Sequence, residues 1–254
     1  MEERKSFYLT LPSNACHDIF PENTSSDYTI TLSQPIELNG PYEVALAEIM
    51  YCHTWNNIVS LECTYDVMDH SKKDQPAIYQ KIKTGHYESI PQMVKEMNLM
   101  FQAAALGIQI RYNHILKRVS VYAGANYSIK LKAPMAYMLG FEPDIWYRLK
   151  AEFIPPHPCD IYAGQYCFYV YSNICESQHC GEYQIPLLRI VEKRGSYGEP
   201  VIISYNKLHY IPVNKTRLDT IKIEIKSDLD KNIRFAYGKS ILKLHFRPQT
   251  SSIL

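Results

Sequence analysis

Near the C-terminus, residues 218–226 run Leu-Asp-Thr-Ile-Lys-Ile-Glu-Ile-Lys, setting Leu218, Ile221, Ile223 and Ile225 against Lys222, Glu224 and Lys226. Alternation at period two is the mark of a strand with one buried face and one wet face. After the polar stretch Ser227-Asp228-Leu229-Asp230-Lys231-Asn232 come residues 233–237, Gly238 and a last run, 241–247. In that run Leu242, Leu244 and Phe246 share one face, while Lys243, His245 and Arg247 take the other. The pattern predicts a terminal antiparallel meander whose apolar side needs cover from a second sheet.

The chain is long enough to supply that cover. Its 254 residues suit one large β domain or two smaller ones. Net charge is +1, from 27 basic and 26 acidic residues mixed along the sequence without a basic stripe or tail. A protein that neutralises phosphates would show such a stripe, so no direct contact with nucleic acid is expected. Tyrosine numbers 21 against 10 glycines, a balance that favours strands and protein contacts. The charged start, Met1-Glu2-Glu3-Arg4-Lys5-Ser6, shows no secretory signal. No apolar run approaches the roughly 18 residues of a membrane helix, so no membrane insertion is expected. Seven cysteines without paired spacing predict free thiols made in a reducing intracellular compartment.

Residues 6–11 alternate as a first strand, and 28–32 form a second after a loop rich in breakers. Past the turn Asn39-Gly40-Pro41, residues 42–52 are the longest strand of this half. Its apolar phase slips between Leu46 and Ile49 and puts Glu48 where an inward residue is due. A β-bulge near Ala47 accounts for the slip, as does a buried, paired Glu48. Beyond Trp55-Asn56-Asn57 the texture changes, with a strand at 77–83 and then one clear helix. Ser89 caps it, Gln92 closes the box, and Pro91 fits its first turn. Ile90, Met93, Val94, Met97, Phe101 and Ala104 recur at helical spacing as far as Gly107, the expected terminator. Residues 108–112 and 118–122 read as a hairpin around Asn113-His114, 127–131 as a strand, and 134–139 as a short helix stopped by Gly140. Residues 57–150 are thus a small α/β insertion in an otherwise all-β chain. After Pro155-Pro156-His157-Pro158, strands are expected at 165–174, 185–192, 201–205 and 210–213. About eight strands outside the insertion suit a two-sheet sandwich or jelly roll.

Few residues promise chemistry. Cys16-His17 and Cys52-His53 set thiol beside imidazole, but strand neighbours point to opposite faces; a buried thiol and an exposed imidazole are expected at each. Cys175, His179 and Cys180, with Cys159 or His157 as a fourth ligand, are the best metal candidate, yet they lack the two short ligand pairs of a zinc site. Asp228 and Asp230 lack the following glutamate of a calcium loop and read as a solvated turn. Phosphate-binding glycine loops, HExxH and GxSxG are absent from the sequence. The Met and aromatic stripe of the helix reads as core. These residues describe a non-enzymatic β-rich domain with no catalytic, cofactor-binding or metal-binding residues.

Several stretches together carry a resemblance. They are 6–14, the segment Phe20-Pro21-Glu22-Asn23-Thr24, 28–38 and 42–49 in the N-terminal half. In the C-terminal half they are 169–174, 186–191 and the closing Leu244-His245-Phe246-Arg247. In this order the chain resembles the minor capsid (penton) proteins of Polinton, or Maverick, elements and related adintoviruses. The resemblance implies a single jelly roll formed by residues 1–56 and 151–254, with 57–150 inserted as an α/β subdomain. It also implies homopentamers at the fivefold vertices of an icosahedral virion, beside trimers of a double-jelly-roll major capsid protein, and no cofactor. The same fold also serves binding modules for glycans or a receptor, with Trp55, Trp146 and clustered tyrosines as the platform. A domesticated copy with a protein-interaction role is a further alternative, and an enzyme would need a Cys/His/Asp constellation spanning the two halves.

Overall fold

The computed structural model describes residues 5–59, 63–72, 76–124, 126–149, 151–228 and 230–249; the first four residues of the charged start and Leu229 of the polar turn lie outside them. The chain divides into two units, Met1–Trp55 with Gln165–Leu254, and Asn56–Gly164.

The first unit opens with β1 (Phe7–Pro12), β2 (Asp27–Glu37) and β3 (Tyr42–Cys52). The chain then enters the inserted lobe, which holds β4 (Thr64–Asp69), β5 (Ile78–Lys81), α1 (Ile90–Ala103), β6 (Ile108–Asn113) and β7 (Arg118–Ala123). The lobe continues with β8 (Tyr127–Leu131), α2 (Met135–Leu139), β9 (Trp146–Arg148) and β10 (Glu152–Phe153). Back in the first unit come β11 (Cys167–Ser172), β12 (Gln178–Cys180), β13 (Tyr183–Ile185), β14 (Leu187–Glu192), β15 (Pro200–Ser204), β16 (Ile211–Pro212), β17 (Arg217–Lys226) and β18 (Ile241–Pro248).

One sheet runs β1-β18-β3-β15, with β16 also on β3; the other runs β14-β11-β17-β2, and every pairing is antiparallel. Successive long strands change sheet at almost every step, which is the winding of a jelly roll. The inward faces interlock as one core: Val44, Leu46, Ile49 and Tyr51 from β3, Leu242, Leu244 and Phe246 from β18, Phe168 and Val170 from β11, and Ile221, Ile223 and Ile225 from β17. Burying each aliphatic or Phe side chain contributes about 1.5–3 kcal/mol.

This corrects the terminal meander. β17 and β18 do not pair; they lie in opposite sheets and cover each other. The connection carries the chain across instead of returning it beside itself. Its Ile233 N–H donates to Ile225 O at 3.0 Å, Ala236 N–H to Thr54 O at 3.1 Å, and Ser240 Oγ to Ser25 O at 2.6 Å. Residues 233–237 therefore spend their backbone groups on separate partners and form no ladder. Gly238 holds φ +88°, and a Cβ there would lie 2.8 Å from Cys52 Cβ, so the crossing needs glycine.

The slip in β3 is a bulge: Lys243 faces Glu48 and Leu244 faces Leu46, which leaves Ala47 unmatched. Glu48 stays half-buried and accepts from Ser204 Oγ at 2.9 Å.

Within the lobe, one sheet runs β5-β4-β8-β9 and another β10-β7-β6. Helix α1 is capped by Ser89, whose side chain accepts from Gln92 N–H, and Gln92 Oε1 in turn accepts from Glu88 N–H at 2.8 Å. The helix ends at Ala103, four residues before Gly107. Ala105 takes the left-handed conformation (φ 52°), its N–H donating to Gln102 O and that of Leu106 to Phe101 O. That is a Schellman closure with alanine in the usual glycine place. Gly140 does close α2, at φ 79°. Asn98 ties α1 to β6 through two 2.8 Å bonds with the Ile110 backbone. The lobe core gathers Met93, Met97 and Phe101 with Ile110, Val121 and Leu131. Residues 151–164 belong to this lobe and not to the resumed sandwich, because β10 pairs with Val121 and Tyr122 of β7.

Candidate interaction surfaces

On the outward face of the β1-β18-β3-β15 sheet, side chains two residues apart on β18 form a ladder. Lys243 Nζ lies 5.6 Å from the Tyr8 ring, Tyr8 packs on His245 at 4.6 Å, and His245 Nδ1 is 2.6 Å from Tyr210 Oη. Arg247 stacks on the Tyr210 ring at 3.5 Å and pairs with Glu43. Partial burial and then the Arg247 charge hold the His245 imidazole below its ordinary pKa. The ladder is rich in cations and bound to itself.

A groove opens on the outward face of the other sheet. The hairpin β12–β13 turns at Gly181-Glu182, with Gly181 at φ 61°, and together with Tyr169 and Tyr171 of β11 it walls a groove of about 1020 Å³. The two tyrosine rings lie 6.5 Å apart at 14°, and Lys226 Nζ sits 5.7 Å over Tyr171. Lys226 also reaches Asp230 at 3.0 Å and Glu224 at 3.5 Å. Tyr183 projects from the hairpin with 65 % of its surface exposed. This groove went unread in the sequence, although Cys-Gly-Glu-Tyr at 180–183 carries the glycine of a two-residue hairpin.

The residues with chemical potential do not converge. At Cys16-His17 the thiol is half-buried and the imidazole exposed. At Cys52-His53 the expectation is reversed: Cys52 is half-buried, while His53 is buried, its ring stacked on Trp55 at 3.8 Å and its Nδ1 2.7 Å from Gly195 O. The reason is strand phase, since Ile49, Tyr51 and His53 fall on the inward side once the bulge has reset β3. Cys175 lies in the sandwich core, where burial pushes its thiol up to about 12. His179 is exposed beside Gln184, and Cys180 lines the groove. Cys159 and His157 belong to the lobe; burial raises the Cys159 thiol to about 11, and His157 Nε2 lies 3.7 Å from Glu142. Among the described residues, no three His, Cys, Asp or Glu side chains are grouped to hold a metal ion. Asp230 is engaged by Lys226. Trp55 is core, packed edge-on against Phe168 and Phe235 at 5.6 and 5.8 Å, which removes it from any sugar platform. Trp146, in the lobe, is 39 % exposed under Lys130 Nζ at 5.0 Å. No helix among the described residues is long and apolar enough to cross a membrane.

The architecture is thus a single jelly roll that carries an α/β lobe between its third and fourth long strands. Among solved structures, it aligns with the mavirus penton protein at a TM-score of 0.51 and 11 % identity, covering 96 % of this chain and 99 % of that one. A chain from the Sputnik virophage structure aligns at a TM-score of 0.47 and 10 % identity, covering 96 % and 98 %. No family model and no curated protein sequence matches the chain. The chain has the fold of the mavirus penton protein, over nearly the full length of both.

Proposed function

We propose that this protein is a structural, non-enzymatic capsid subunit: the penton of an icosahedral shell of the Polinton/Maverick and adintovirus kind. In this reading it forms a homopentamer at each vertex, next to a double-jelly-roll major capsid protein. The observation that carries the proposal is the alignment with the mavirus penton protein across 96 % of this chain, lobe included. The surface agrees with it. A closed ring is built from heterologous contacts, so each copy needs two different flanks. Among the edge strands of the two sheets, β14 exposes Ile190 at 47 %, β15 exposes Ile202 at 64 % and β1 exposes Tyr8 at 60 %. Apolar centres of this kind are what interface cores use.

Light scattering across a concentration series tests the ring, which should weigh about five times the 29.5 kDa chain. Ile202→Asp should return it to monomers without loss of folded signal. A wild-type protein that stays monomeric, and never enters shells when the major capsid protein is added, overturns the proposal.

A further inference from the structure

The groove under the β12–β13 hairpin is used by nothing in the capsid reading, and its chemistry stands apart from it. At about 1020 Å³ it sits at the top of the roughly 300–1,000 Å³ range of small-ligand sites, large enough for a multi-residue segment. Its floor is aromatic, Tyr169 and Tyr171, and Tyr183 overhangs it. Its rim is acidic. Four carboxylates line it against a single ammonium, that of Lys226.

Two of those carboxylates are already engaged. Glu224 pairs with Lys222 and Lys226, and Asp230 pairs with Lys226. Lys193, whose charge also reaches Asp228, has its Nζ bound to Gln165 O at 3.0 Å. Glu182 on the hairpin and Asp228 on the turn after β17 are both exposed and both line the groove. The protein itself shows which head group suits these walls. Lys226 places its ammonium between two carboxylates and over a tyrosine ring, the arrangement in which a cation gains from ring and carboxylate together.

We propose that this groove binds a basic, extended segment of a partner protein, with an arginine guanidinium held by Glu182 and Asp228 and its stem laid on Tyr169. Arginine fits better than lysine because its planar fork can stack on a ring and bond a carboxylate at once.

Fluorescence anisotropy of the full-length protein tests this, using a labelled, blocked peptide of alternating valine and arginine at low salt. A peptide with citrulline in place of arginine keeps the shape and removes the charge. Binding should weaken at least about tenfold with the citrulline peptide, or with the double variant Glu182→Gln, Asp228→Asn. Tyr183→Ala should weaken it less, and Ile115→Ser, on the exposed turn of the lobe, should leave it unchanged. All variants are checked for an unaltered circular dichroism spectrum, since each changes only an exposed side chain. Equal binding of the two peptides, no loss in the double variant, or no binding of the arginine peptide overturns the proposal. So does a neutral oligosaccharide that binds in a Tyr183-dependent way while the arginine peptide does not. None of these readouts depends on pentamer formation.

Discussion

The sandwich and the inserted lobe are built from one chain by different means. In the sandwich, long strands with inward Val, Leu, Ile and Phe at every second position meet face to face, so its core is a product of alternation. In the lobe, a 14-residue helix supplies Met93, Met97 and Phe101 to strands of six residues or fewer. Flexible methionines fill what the short strands leave open. The lesson is that alternation stabilises a fold whose winding is set by crossings, whereas the lobe depends on one amphipathic helix and on local caps.

The largest test of that contrast truncates one fully buried aromatic in each unit. Phe246→Ala and Phe101→Ala should each cost about 3–5 kcal/mol, and hydrogen exchange followed peptide by peptide should show protection falling mainly in the unit that carries the change. Loss of protection across both units from either substitution would break the division into two cores.

Gly238→Ala probes the crossing between the sheets. The positive φ and the 2.8 Å approach to Cys52 Cβ predict a cost of about 1–3 kcal/mol, read as a lower urea midpoint for the sandwich. An unchanged midpoint would mean that the crossing tolerates a side chain and does not set the winding.

Tyr65→Phe should go the other way. Tyr65 is the one buried side chain among the described residues whose polar atom has no hydrogen-bond partner, and burial pushes its phenol up to about 12. Removing the hydroxyl deletes a desolvated group that gains nothing, so the lobe should be unaffected or more stable by up to about 1 kcal/mol. A clear loss of lobe stability would reveal a partner for that oxygen.

The smallest effect concerns pH. His245 faces Tyr8 from β1, Tyr210 from the segment before β16, Lys243 and Arg247 on its own strand, and Glu43 beyond Arg247. Its folded pKa is lowered, so its contribution is fully present above the unfolded value of about 6.5 and is lost as pH falls below it. The sandwich midpoint should decline slightly on acidification through that point, and His245→Gln should remove that part of the decline. Identical pH profiles for the two proteins would exclude the ladder as its source.

Much of this was legible in residue order. Alternation marked β1, β3, β11, β17 and β18 and sorted their faces, and the phase slip located the bulge at Ala47. Ser89 and Gln92 marked the start of α1, and Gly140 the end of α2. Where the text misled, a local rule had competition. Gly107 looked like the helix stop, but the Schellman bonds form earlier at Ala105 because Leu106 can be buried against the lobe core. Strand β4 passed unread, since in Thr-Tyr-Asp-Val-Met-Asp only Tyr65 and Val67 alternate inward and Asp66 spends its charge on Lys130 at 3.0 Å.

Residue order sufficed to say that two alternating ends of this chain need each other's apolar faces, because side-chain period is a local property of extended backbone. It could not say that β17 and β18, neighbours along the chain, would be partners across the core and not along a ladder. Period assigns a face and never a neighbour; the neighbour follows from where the connecting backbone finds its hydrogen bonds, here on Thr54, Ser25 and Ser13, residues more than 180 positions away. The groove beneath the hairpin arose in the same way, from tyrosines and carboxylates that only folding brings together.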